Sequence, residues 1–221
     1  MEIGGVNLKW LGHAGFLIEN SVTIYIDPYQ IKEGLPKADY IFLTHDHFDH
    51  CSVQDIEKIL KKGTRIIMTA GCQSKIARFS IPVRMQIVEP GQELDFGILK
   101  ADVFPAYNTD KSFHPKEQFL VGYLIKINRA LIYHAGDTDF IPEMQKLTGY
   151  NSQAKNFVAL LPVGGRYTMT AEEAAEAAKM IKPSLAIPMH WGSVVGTKDD
   201  AEEFKELCKE NKINCEILEK E

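Results

Sequence analysis

The chain has 221 residues, 45% hydrophobic and 25% charged, and its 25 Lys and Arg against 30 Asp and Glu give a formal net charge of −5. A chain of this length buries enough surface to fold without a disulfide or a metal. The mildly acidic balance argues against a dedicated binder of nucleic acid or anionic membrane, since both favour an excess of Lys and Arg.

The first third opens with short β-rich runs, Val6 to Leu11, Phe16 to Glu19 and Val22 to Asp27, separated by Gly and Asn-Ser turn signals and predicted to form a meander. Tyr40 to Thr44 is a continuous apolar run, as expected of a strand buried on both faces. Ser52 then caps a helix with Asp55 three residues on; Ile56, Ile59 and Leu60 make its apolar face and Gly63 stops it. Arg65 to Thr69 reads as a strand and Cys72 to Phe79 as a short helix. Leu99 to Ala106, Val121 to Ile127 and Ala130 to His134 read as strands, the last two joined by an Asn128-Arg129 turn. Ile141 to Leu147 is predicted to be a short helix with Pro142 in its first turn. Phe157 to Val163 is a second buried strand, and Thr170 to Ile181 a helix capped by Thr170 with Glu173 three residues on. Leu185 to Met189 is a strand, Asp199 to Asn211 a helix and Cys215 to Leu218 a last strand. Nothing reads as a linker, so residues 1–221 are expected to form one unit, two packed sheets with helices on the outer faces.

The four cysteines, Cys51, Cys72, Cys208 and Cys215, form no CxxC pair and read as reduced thiols. Met1 to Gly5 lacks the basic and apolar pattern of a signal peptide, and runs such as Phe157 to Val163 are too short to cross a bilayer. A cytoplasmic protein without a membrane partner is the expectation.

The chemistry concentrates in Thr44-His45-Asp46-His47-Phe48-Asp49-His50, which places three histidines and two carboxylates in a loop between a buried strand and a capped helix. His45 and His47, two apart, can bind one cation, while Asp49 and His50 can address a second. Imidazole and carboxylate without thiolate suit zinc first, with manganese or iron as alternatives.

This HxHxDH motif resembles the metallo-β-lactamase superfamily. Ile26-Asp27-Pro28 resembles its early Asp at a strand end, and Ala135-Gly136-Asp137-Thr138 and Pro188-Met189-His190-Trp191-Gly192 resemble its later landmarks in order. Trp10-Leu11-Gly12-His13-Ala14-Gly15 and Leu161-Pro162-Val163-Gly164-Gly165 resemble the small branch related to ascorbate-6-phosphate lactonase and N-acyl-phosphatidylethanolamine phospholipase D. The resemblance implies a four-layer αββα sandwich, α/β in class, with two mixed β-sheets and helices on the outer faces. It implies two divalent metal ions, one held by His45 and His47, the other by Asp49, His50 and His190, with Asp137 between them.

The chain departs from the family pattern at Asn108, where relatives carry a further histidine for the first metal. His114, six residues on, is either its replacement or a substrate-facing or loop histidine. Asp49 and Asp137 are the catalytic carboxylates so implied. Asp46 is either an aid to proton transfer or a solvated loop residue, and His13 lines the pocket or makes a structural bond. Arg166 and Tyr167, in a Gly-rich loop that can offer backbone N–H groups to an anion, are candidates for substrate contact. His134 either orients the Asp137 turn or a ligand or is a core histidine with its hydrogen bonds satisfied.

The implied function is hydrolysis of a small ester, lactone or phosphorylated molecule by water acidified on the metals. A phosphodiesterase or nuclease of the same fold and a non-catalytic metal-binding module are the alternatives. The partner is a small molecule, nucleic acid is disfavoured, and a homo-oligomer stays open.

Overall fold

The computed structural model describes residues 1–150 and 156–221. Among these, the strands form two mixed sheets. The first runs in the order β1 (Glu2–Ile3), β2 (Val6–Gly12), β3 (Gly15–Glu19), β4 (Thr23–Ile26), β5 (Tyr40–Leu43), β6 (Arg65–Met68), β7 (Arg84–Ile87). The second comprises β8 (Glu93–Asp95), β9 (Leu99–Pro105), β10 (Val121–Ile127), β11 (Ala130–His134), β12 (Phe157–Pro162) and β13 (Leu185–Met189), also in chain order across the sheet. Each starts as an antiparallel meander and ends in parallel pairs: β4 to β7 in the first sheet, β11 to β13 in the second.

Alternation explains why the apolar runs are continuous. Along β4, β5 and β6, Ile24, Ile26, Phe42 and Ile67 face the second sheet. Tyr25, Ile41, Leu43, Ile66 and Met68 face the opposite way, into a separate cluster with Ile56 and Ile59 of helix α1 (Val53–Ile59). Both faces of these strands are therefore dry, and period-2 patterning disappears. The outer face of the second sheet is covered by α3 (Ala171–Ile181) and α4 (Lys198–Glu210); Ala174, Ala175, Ala177 and Ala178 of α3 pack in one cluster with Phe204 of α4 and with β12 and β13. The outcome is the expected αββα sandwich, with α1 and the one-turn α2 (Gln73–Ile76) on the first sheet.

Several expected elements differ. The predicted helix from Cys72 to Phe79 is a 3-10 turn at Ala70–Cys72 followed by α2, and the helix expected over 141–147 is a 3-10 helix, Pro142–Leu147. The last strand is reduced to a bridge between Ala186 and Cys215. Ala186 exchanges both backbone bonds with Asn214 and Glu216, but the next inward-facing donor position on that edge is Pro188, which has no N–H to extend the ladder. The short strands β1, β7 and β8 were not expected. β7 exposes three of its four residues and β8 two of its three, and at four and three residues their polar–apolar alternation is too short to read as a strand.

The start of α1 is tied to the loop after β4 by one carboxylate. Asp55 Oδ2 accepts from Gln30 N at 2.8 Å and Ser52 Oγ at 2.6 Å, and Oδ1 accepts from Ile31 N at 3.1 Å and Lys58 Nζ at 2.9 Å. Burial opposes its charge, but the bonds from Ser52, Lys58 and Gln30 outweigh burial and depress its pKa. Asp55→Ala should therefore lower unfolding free energy by about 2–3 kcal/mol, by stranding two backbone donors. Because the folded pKa is depressed, that stabilisation is complete above the unfolded value of about 4 and disappears as pH falls through the folded one. Urea unfolding of the two proteins should show a gap at pH 7 that narrows on acidification.

Candidate metal centre

Six of the seven histidines join Asp49 and Asp137 in two clusters. One holds His45, His47, His114 and Asp137; the other holds His13, Asp49, His50 and His190; within each, one donor atom per residue lies within 4.8 Å of the others. The donors arrive from the ends of strands in both sheets: His13 from the β2–β3 turn, residues 45–50 from the loop after β5, His114 from the β9–β10 connection, Asp137 from after β11 and His190 from after β13.

Tight backbone turns deliver them. Asp27, His13, His114 and His190 all have left-handed φ, 42°, 51°, 55° and 62°, a region that costs a non-glycine residue of order 1–3 kcal/mol and tends to mark functional sites. At Gly136 the same region (φ 69°) brings the chain so close that a Cβ would stand 2.5 Å from the Val121 carbonyl oxygen, so only glycine fits beside Asp137.

Four of the six cluster histidines are held through one ring nitrogen. Asp27, fully buried, accepts from Thr44 N at 2.8 Å, from Thr44 Oγ1 at 2.6 Å and from His50 Nδ1 at 2.7 Å. Thr44 Oγ1 spends its proton on Asp27, so it accepts from His45 Nδ1 at 3.0 Å. His114 Nδ1 donates to the Tyr167 carbonyl at 3.0 Å, and His13 Nε2 donates to Asp49 Oδ2 at 2.9 Å. With the outer nitrogens holding protons, the inner ones carry lone pairs. Burial pushes the His13 imidazole down to about 4 despite its bond to Asp49. Burial likewise opposes charge on Asp49, but His13 and the nearby His50 outweigh it and hold the carboxyl at about 2. That pair is thus a neutral imidazole donating to a carboxylate.

Among the described residues, eight buried side-chain polar atoms have no hydrogen-bond partner, and six belong to these clusters: His13 Nδ1, His45 Nε2, His50 Nε2, Asp137 Oδ1 and both nitrogens of His190. Such orphans are otherwise costly and rare. Their spacing suits a cation. Two donors about 2.1 Å from an ion at tetrahedral angles lie about 3.4 Å apart; His47 Nδ1 and His114 Nε2 are 3.2 Å apart, His50 Nε2 and Asp137 Oδ1 3.3 Å, and His190 Nε2 and Asp137 Oδ2 3.1 Å. Asp137 also lies 3.5 Å from His114 Nε2 and 3.9 Å from His45 Nε2, within reach of both clusters. Burial opposes its charge, but the flanking His190 and His50 hold its pKa well down.

The remaining expected residues are placed as follows. His13, expected to face substrate or to make a structural bond, is buried inside the second cluster. His134 accepts from Gly136 N at 3.2 Å and donates to the Ala14 carbonyl at 2.8 Å, so it orients the Asp137 turn and the His13 turn together. Asp46 belongs to neither cluster; its carboxylate lies 3.4 Å from Lys75 Nζ and its side chain is 46% exposed. Tyr167 lines the pocket, but Arg166 is exposed and stacks over the Tyr167 ring at 5.2 Å. Three of the loop's N–H groups are used within the fold: Gly165, Arg166 and Met169 donate to the carbonyls of Met169, Gly164 and Thr138. Asp139 was not anticipated. It is buried, accepts from Thr109 N at 2.7 Å and pairs with Lys111, lacing the His114 loop to the Asp137 turn. The repeated Asp in Asp137-Thr138-Asp139 was its only signal in the chain.

The donors open on a pocket of about 230 Å³ lined by His47, Phe48, Asp49, Phe113, His114, Asp137, Tyr167, His190 and Val194.

Comparison with known proteins agrees with this geometry. Residues 7–190 match the Beta-lactamase superfamily domain. The chain is 32% identical to a UPF0173 metal-dependent hydrolase of Nanoarchaeum equitans, over 98% of each. A crystal structure from Parabacteroides distasonis superimposes with a TM-score of 0.83 at 29% identity, covering 97% of this chain and 94% of that one. Igni18, a metallo hydrolase from Ignicoccus hospitalis, does so with a TM-score of 0.75 at 25% identity, covering 97% and 95%. With the sandwich, the donor set at its edge and identity along nearly the whole chain in agreement, the protein belongs to the metallo-β-lactamase superfamily and, within it, to the UPF0173 metal-dependent hydrolase family.

Proposed function

We propose that this chain binds two divalent metal ions and uses them to hydrolyse a small ester, lactone or phosphorylated molecule. The observation that carries the reading is the set of inward, unpartnered imidazole and carboxylate atoms opening on one pocket. His45, His47 and His114 would hold one ion, Asp49, His50 and His190 the other, and Asp137 would stand between them. The donor types favour zinc, then manganese or iron. Two such ions, when bound, acidify a water and polarise the substrate oxygen.

The protein's own part is to fix the donors. Asp27 keeps a proton on His50 Nδ1, and Thr44 keeps one on His45 Nδ1, so both present Nε2. His13 holds Asp49 ionised and in place through its Nε2 proton. Asp46, tied to Lys75, is away from the pocket lining, which leaves Asp49 and Asp137 as the acidic side chains at the pocket within reach of a proton from the attacking water. The likeness of residues 10–15 and 161–165 to the ascorbate-6-phosphate lactonase branch supports a compact substrate. A free small molecule is the partner proposed, in the cytoplasm; among the described residues no helix is long and apolar enough to cross a membrane.

Protein prepared without chelator should contain close to two equivalents of transition metal by elemental analysis, and a chelator should abolish turnover of generic esters. Asp49→Ala should lower hydrolysis by more than about 100-fold, because it removes a donor rather than a group that only orients one. Its circular dichroism should stay native; near-normal turnover would reject the assignment.

His114→Ala should lower metal content from two equivalents to one, and Asn108→His in that background should raise it again. Asn108 Nδ2 sits 3.4 Å from His114 Nδ1, so an imidazole there can reach the space that His114 leaves. Unchanged occupancy in His114→Ala would mean that His47 and His45 manage without it.

A further inference from the structure

The lining of the pocket separates into two chemistries. Its polar side chains, His47, Asp49, His114, Asp137 and His190, all belong to the two clusters. What remains is Phe48, Phe113, Tyr167 and Val194, an aromatic and aliphatic wall without a single Lys or Arg. Three of these four are left unusually open: Phe48 is 61% exposed, Phe113 45% and Val194 39%, three of the seven large apolar side chains that the described residues expose. Scattered exposed apolar residues mean little, but a group of them at one concave mouth marks a surface that something apolar covers.

The wall is also fastened to the donors. Phe48 lies between His47 and Asp49 in the chain, Phe113 directly precedes His114, and Tyr167 holds the His114 ring through its carbonyl. Phe113 meets the Tyr167 ring edge-on at 4.6 Å, and Phe48 meets Tyr29 edge-on at 5.8 Å. A group resting on this wall is thereby registered against the reacting centre.

A phosphoryl substrate brings anionic oxygens beyond those a metal pair contacts, and proteins meet these with Arg, Lys or free backbone N–H groups. The cations near this mouth are committed elsewhere: Lys111 to Asp139, Lys75 to Asp46, and Arg166 over the outer Tyr167 ring. The N–H groups of Gly165, Arg166 and Met169 bond within the fold, and the first turn of α3 is closed by the Thr170–Glu173 capping box. A volume of about 230 Å³ is below the range of pockets that take drug-sized ligands.

From this lining we infer that the substrate is a small uncharged carboxylic ester or lactone whose short apolar acyl group lies against Phe48, Phe113, Tyr167 and Val194, and not a phosphorylated molecule. The assignment rests on the hydrolase reading above and narrows it. In the reaction, the oxygen of water forms a bond to the carbonyl carbon and the bond from that carbon to the alkoxy oxygen breaks. One water proton passes to the leaving alkoxide, giving the alcohol, and the other is released as the acid ionises to the carboxylate.

The test uses the full chain loaded with zinc, manganese or iron. Its probes are p-nitrophenyl acetate, p-nitrophenyl butyrate, p-nitrophenyl phosphate and bis-p-nitrophenyl phosphate. Butyrate ester should exceed acetate ester by roughly tenfold in kcat/KM, as two further methylenes are buried, and both phosphate probes should fall far below either. Phe48→Ser and Phe113→Ser should abolish the butyrate preference, chiefly through KM, while elemental analysis shows the metal content retained. Calorimetric titration should show the loaded protein binding butyrate in preference to inorganic phosphate, with that preference lost in the serine variants. If a phosphodiester is cleaved as efficiently as the esters and the serine variants are indifferent, the substrate class is overturned while the hydrolase reading stands. If fully loaded protein turns over no probe, the hydrolase reading falls and this assignment with it.

Discussion

A single carboxylate, wholly buried where β4 ends, organises the centre. Asp27 receives three hydrogen bonds, from Thr44 N, Thr44 Oγ1 and His50 Nδ1. A carboxyl group so deep is tolerable only when its oxygens are met in this way. The three bonds do different things. The backbone bond ties the start of the histidine loop to the neighbouring strand. The bond to His50 fixes the tautomer of a donor in one cluster. The bond to Thr44 Oγ1 leaves that hydroxyl free only to accept, which fixes His45 in the other. One donor in each cluster therefore takes its tautomer from a residue that belongs to neither.

The same end of the sandwich gathers conformational strain. Asp27, His13, His114 and His190 sit in the left-handed region, and neighbouring contacts hold each of them. His190 N donates to the His13 carbonyl, which bonds two strained turns to one another across the sheets, and the His114 carbonyl accepts from Asn108 N within its own connection. The broad apolar core in which strands of both sheets share one cluster supplies the rigidity that keeps these turns in place. His13, Asp49 and His50 come from the first sheet, and His114, Asp137 and His190 from the second. The site exists only where the two are packed.

What could be read from the chain follows the same division. The loop from His45 to His50 was legible because its donors are consecutive, and β5 and β12 because burial on both faces leaves an unbroken apolar run. The membership of His13 in a donor cluster was not legible. It depends on a contact with Asp49 made across 36 positions, and a lone histidine between glycines carries no trace of it. Asp139 escaped for the same reason, since its partners Thr109 and Lys111 lie in another connection. Arg166 misled in the opposite direction: a cation in a Gly-rich loop before a helix reads as an anion contact, yet its guanidinium lies over the Tyr167 ring and the amides of Gly165, Arg166 and Met169 are used internally. Strands β7 and β8 escaped because they are exposed edge strands of four and three residues, too short for their alternation to stand out.

Because donors in each cluster come from distant parts of the chain and from both sheets, an ion held there would act as a cross-link closing very long loops, in the way a disulfide does. The apparent stability of the folded chain then becomes a function of free metal, rising by RT ln(1 + [M]/Kd) for each site. Starved of metal, the protein would keep its core, but the two sheets would lose their staples at the edge where the pocket opens. Metal supply would then govern how long the chain survives as well as whether it turns over substrate.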